Sequence, residues 1–153
     1  MAMTDRPDPI ILGHVLMEHR ELFMRMQGLK SAFSAVQPMT AARAAEVRGA
    51  LADLREHLHA HFEQEESGGF LEESIARMPR LAPAATAIMR QHPALLAQLD
   101  ALIETLARGD SSAEAWARAG RDFERFSITM QAHERSENAV VQEGYNEDLG
   151  LLD

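Results

Sequence analysis

Seven histidines and no cysteine stand in this chain of 153 residues, so any metal chemistry must use nitrogen and oxygen donors. Helical phase divides the histidines. His19, His61, His92 and His133 each fall on or beside an apolar stripe. His14 instead shares a face with Glu18, Glu21 and Arg25, and His59 with Arg55, Glu56 and Glu63, while His57 flanks a stripe. Glu65 and Glu137 follow His61 and His133 by four residues, an interval that brings both side chains of each pair to one helix face. Each such group alone is a costly polar intrusion into a core, and a metal centre removes the conflict. These six donors exceed the needs of one tetrahedral zinc, whereas two ions bridged by both carboxylates would use two histidines each. Nitrogen and carboxylate donors with open positions suit iron, and manganese or zinc could occupy the same cage.

Four amphipathic segments must position these groups. The first, about 12–33, carries Leu12, Val15, Leu16, Leu22, Phe23, Met26, Leu29 and Phe33 at steps of three and four. A second follows Pro38 with Thr40 as N-cap, shows Val47, Leu51, Leu54, Leu58 and Phe62, and stops at Ser67-Gly68-Gly69. Residues 70–77 could form a short helix before Pro79 and Pro83. A third stripe runs from Ile88 and Met89 through Leu95, Leu96, Leu99, Leu102, Ile103 and Leu106 to Gly109. The fourth opens on a Ser111 to Glu114 capping-box spacing and continues through Trp116, Ala119, Phe123, Phe126, Met130 and Val140 or Val141. Nothing reads as a strand. The expected fold is all-α, an up-down-up-down antiparallel four-helix bundle in a single domain, 1–153, with the bundle over about 10–142 and an irregular tail over 143–153. In that topology His19, His61, His92 and His133 lie at one end, at heights agreeing within roughly 5 Å.

Composition narrows the classes of partner. A net charge of -9, with no Lys/Arg cluster, argues against nucleic acid and anionic lipid. No apolar run approaches the roughly 18 to 20 residues of a membrane span, and the start MAMTDRPDP is polar and acidic, so a cytoplasmic protein is expected.

The motifs EHRELF with His19, HFEQE with His61 and Glu65, RQHPALL with His92, and HERSE with His133 and Glu137 are spaced by intervals of 42, 31 and 41 residues between histidines. In these respects the chain resembles the hemerythrin-like, or HHE cation-binding, family over residues 10–142. The resemblance implies a four-helix bundle around a non-haem di-iron centre, oxo- or hydroxo-bridged, with both carboxylates bridging. His19 and His61 would hold one iron, His92 and His133 the other. Oxygen-carrying hemerythrins have a further His where this chain has Leu96, and their last carboxylate falls where it has Asn138. The pattern is closer to the four-His, two-Glu sites of bacterial iron-cluster repair proteins and iron-sensing hemerythrin domains. Repair proteins usually carry a Cys-bearing N-terminal segment, which this chain lacks. The implied function is binding or reduction of a small oxidant, namely oxygen, nitric oxide or peroxide; iron sensing, storage or donation without turnover, and a purely structural helical module, stand as alternatives.

Other signals carry less. Glu56-x-x-His59 occurs once and on a polar face, whereas a ferritin-like site needs that element twice and buried. HExxH is absent, and His57 reads as a surface residue or a partner to a ligand. Pro93 after His92 predicts a kink or a new helix start. Leu22, Phe23, Leu58, Phe62, Leu95, Leu96, Phe126 and Met130 lie one turn from the proposed ligands and predict an apolar floor suited to a diatomic or a peroxide. The connection 67–83 and the tail lie at the same end, where they would cover or gate the site. Exposed helix faces could also support a homodimer.

Overall fold

The computed structural model describes residues 9–35, 40–109 and 112–150. Six α-helices follow in order: α1 Pro9–Ser34, α2 Ala41–Glu66, α3 Phe70–Arg77, α4 Ala82–Met89, α5 His92–Ala107 and α6 Ala113–Gly150. A 3-10 turn, Pro79–Leu81, joins α3 to α4. No strand occurs among the described residues. Helix α1 packs on α2, α2 on α5, α5 on α6 and α6 on α1, which closes the expected four-helix bundle.

Local chemistry sets the helix ends. Thr40 caps α2 by accepting from the Arg43 N–H at 3.1 Å. Helix α2 ends where Gly68 takes a φ of 91°, and Gly69 follows because a Cβ there would lie 2.5 Å from the Gln64 carbonyl oxygen. Gly109, φ 77°, turns the chain out of α5. The expected Ser111 cap lies outside the described residues; Ser112 caps α6, accepting from the Ala115 N–H at 3.1 Å.

At the helix ends the new start expected at Pro93 is present, and one expectation changes. The third stripe belongs to two helices, because the chain breaks at Arg90 and Gln91 and restarts at His92, with Pro93 in the first turn of α5 where its missing N–H costs nothing. The last helix continues to Gly150 in place of an irregular tail from 143; residues 151–153 lie outside the described ones. Gly144 is buried inside α6, and a Cβ on it would meet Ser74 Cβ at 2.8 Å, so this glycine marks a close helix contact with α3.

The core has two parts. The main cluster joins Leu22, Met26 and Leu29 of α1, Val47 to Phe62 of α2, Leu95, Leu99 and Leu102 of α5, and Phe123, Phe126 and Met130 of α6. A smaller cluster places Leu71, Met78, Leu81, Ala85 and Ile88 against Val140 and Val141 of α6. Each fully buried Leu or Phe contributes about 1.5–3 kcal/mol of transfer free energy. Along α6, His133 and Glu137 stand between Met130 of the first cluster and Val140 of the second. Leu16 and Phe23 were expected on the buried stripe but are 59% and 45% exposed. At about 100° per residue both lie roughly a quarter turn from the Leu22–Met26–Leu29 face that meets the core. Leu12 lies among the residues whose side chains are not described.

Candidate metal centre

Four helices each deliver one histidine to a single layer: His19 from α1, His61 from α2, His92 from the first turn of α5 and His133 from α6. All four are buried, as are Glu65 and Glu137, both 1% exposed. The six residues fall into two groups of converging ligand atoms, His19 with His61 and Glu137, and His92 with His133 and Glu65. Atoms within each group lie within 4.8 Å of one another. These are the pairs of histidines expected to share an ion.

The carboxylates span the two groups. Glu65 directs Oε1 to His61 Nε2 and Oε2 to His92 Nε2, the latter at 3.2 Å. Glu137 directs Oε1 to His19 Nε2 at 3.1 Å and to His61 Nε2 at 3.7 Å, and Oε2 to His133 Nε2 at 3.5 Å. Each carboxylate therefore presents one oxygen to each histidine pair, as a bridging ligand must.

Hydrogen bonding separates the inner and outer faces of the rings. His61 Nδ1 lies 2.7 Å from Glu18 Oε2, His92 Nδ1 3.0 Å from Glu66 Oε1, and His133 Nδ1 2.7 Å from Gln91 Oε1. An Nδ1–H donating outward leaves Nε2 as a lone pair aimed inward, the tautomer a metal requires. Nε2 of His61, His92 and His133, both oxygens of Glu65 and Oε2 of Glu137 are buried with no hydrogen-bond partner among the described residues. Polar atoms in an apolar interior are seldom left so, and six converging on one layer have the chemistry of a ligand set. His19 differs, with Nε2 bonded to Glu137 Oε1 and Nδ1 buried without a partner.

Without a cation the layer holds protons. Burial opposes the charged form of His61, but Glu137 and Glu65 pressed against the ring outweigh it and push its pKa up to about 11. His19 and His92 are raised by the same balance, burial lowering and Glu137 or Glu65 raising. For Glu137, burial raises and His133, His19 and His61 lower, leaving it far below the usual carboxylate range. Glu134 is pushed up to about 7 by burial, with His19 opposing.

Around the layer, Phe62 stacks on His92 at 3.7 Å between ring centroids and meets His133 edge-on at 5.5 Å. Leu22, Leu58, Leu95, Phe126 and Met130 complete the apolar floor, while Leu96 is half-buried and Phe23 sits on the surface. A groove lined by Gln91, Leu95, Gln98, Thr129 and His133 lies between α5 and α6 at the outer edge of the layer. His57 stays outside, 3.7 Å from Glu21, and His59 pairs with Glu63 at 3.6 Å. Sequence reasoning missed Glu18, Glu66 and Gln91 as ligand partners. Each adjoins a ligand in sequence yet bonds a histidine on another helix.

Comparison of the chain with protein-family models, with curated proteins and with solved structures returns no match. The helical bundle and its buried His/Glu groups, which could hold a metal ion, therefore define the protein. No helix among the described residues is long and apolar enough to cross a membrane.

Proposed function

We propose that this chain is a hemerythrin-like di-metal protein whose natural occupants are two irons, and that it binds or reduces a small oxidant such as oxygen, nitric oxide or peroxide. The observation that carries this reading is the set of inward, unpartnered Nε2 and carboxylate atoms, backed by outward Nδ1 anchors on three of the four rings. His19 and His61 would hold one ion and His92 and His133 the other, with Glu65 and Glu137 bridging. Bound iron would supply one-electron redox chemistry and an exchangeable position for the small molecule. The chain does the rest. Glu18, Glu66 and Gln91 fix ring orientation and keep Nε2 free, and the Phe62, Leu58, Phe126 and Met130 floor excludes water and charged organic substrates.

Metal content of freshly purified protein, with the visible spectrum before and after anaerobic reduction and oxygen exposure, tests the reading. About two irons per chain and a reversible spectral response to oxygen are expected. Stable iron with no response, or labile iron without turnover, would favour sensing or storage; no iron and no uptake on anaerobic reconstitution would overturn a metal role. His61→Ala, Glu65→Ala and Glu137→Ala should each lose at least one iron, and retention of two in all three would refute the ligand assignment.

A further inference from the structure

Three of the four rings in the buried layer have an acceptor at the outer nitrogen: Glu18 for His61, Glu66 for His92 and Gln91 for His133. His19 has none, and its Nδ1 is buried and unpartnered. In the metal-free chain its Nε2 donates to Glu137 Oε1 at 3.1 Å. Metal at Nε2 would end that bond and leave the ring's one proton on Nδ1, where a buried N–H needs an acceptor.

The packing of α6 on α1 brings one within range. The two helices run antiparallel: Phe33 lies against Gly120, Lys30 Nζ is 3.9 Å from Glu124 Oε2, and His19 meets Glu137. Glu134 stands one turn before Glu137, and it lines a surface hollow together with Phe23 of α1 and with Gln131, Arg135 and Asn138. It therefore occupies the flank of α6 that faces the His19 to Phe23 stretch of α1. Glu134 is half-buried, yet no hydrogen bond or ion pair joins it to the described residues. Among the charged groups around it His19 acts on it most strongly, and of the carboxylates only Glu137 acts on His19 more. The other carboxylates at the layer are already engaged, Glu18 and Glu66 on outer nitrogens, Glu65 and Glu137 between the histidine pairs. Building on the metal reading, we infer that Glu134 is the outer partner of His19, accepting its Nδ1–H when metal occupies Nε2. It is a positioning residue, and it completes for the fourth ring what Glu18, Glu66 and Gln91 do for the other three.

Zinc, which has no redox chemistry, is the probe. Titration calorimetry of the metal-free full chain should show two zinc ions bound, and proton–nitrogen correlation spectra of the loaded protein should show four exchange-protected Nδ1–H groups. Glu134→Ala should weaken one of the two ions roughly 10- to 100-fold, as loss of an outer partner does, and expose the His19 Nδ1–H alone to exchange. Glu134→Gln keeps an acceptor oxygen, as Gln91 does for His133, and should restore most of both. Unchanged affinities with four protected groups in Glu134→Ala would overturn the role of Glu134 while leaving the metal reading intact, and so would a Gln variant as weak as the Ala one. No uptake of zinc or iron by the natural chain would overturn the metal reading and the role of Glu134 with it. Circular dichroism of the metal-free variants checks that they fold.

Discussion

At the scale of single residues, the site depends on what stands behind the ligands as much as on the ligands. Gln91 holds His133 through Nδ1 from the two-residue break between α4 and α5. Gln91→Leu should leave the fold intact while lowering metal affinity roughly 10- to 100-fold, as loss of an outer partner does. Isothermal titration of the metal-free variant measures it. The six inner donors were legible because a polar residue out of place on an apolar stripe breaks a pattern. Glu18, Glu66 and Gln91 break none: each occupies a polar or loop position where a charged or amide side chain is ordinary. Their role exists only across helices, and one-dimensional periodicity carries no such information.

Among the elements, glycine was the residue type most easily misread. Gly68 and Gly109 do end helices, with φ of 91° and 77°. Gly144 resembles them in sequence, yet it lies within α6 and touches Ser74 of α3. Gly144→Ala should destabilise the protein by about 1–3 kcal/mol, because the added methyl overlaps Ser74 Cβ and part of its backbone. Ser74→Gly in the same chain removes the side-chain part of that overlap, so denaturant unfolding should show partial recovery. No recovery would place the strain in the backbone alone. The short α3 was legible at 70–77, whereas α4 was not, for a related reason. Ile88 continues the apolar phase of α5 but faces the smaller cluster beside Val140 and Val141, and only Pro93 marks the break.

For the whole molecule, the proton and metal equilibria of the buried layer govern the response to pH. In the metal-free chain His61 is raised from 6.5 to about 11, so its contribution is complete below pH 6.5 and is lost as pH climbs toward 11. His19 and His92 act in the same direction. Glu134, raised from 4.5 to about 7, loses its contribution between those values. Glu137 is lowered, so its contribution is complete above pH 4.5 and disappears under acid. The melting temperature of the metal-free protein should therefore be highest on the acidic side of neutrality and fall in both directions. Metal competes with protons for the imidazoles, so loading should release protons and shift the optimum upward. Thermal melts across pH with and without iron, and an indicator dye during loading, test both statements.

The unpartnered inner atoms also set a trade-off between durability and use. A chain selected for stability alone would not keep six buried polar groups between two apolar clusters. Replacing His19, His61, His92 and His133 with Leu or Phe, and Glu65 and Glu137 with Leu or Met, closes that layer with hydrocarbon; substitutions of this kind in other proteins have been neutral or stabilising by about 1–4 kcal/mol. The resulting bundle should melt above the metal-free natural chain and bind nothing. The interval between the two melting temperatures measures what the molecule forgoes to keep a layer that could hold a metal ion.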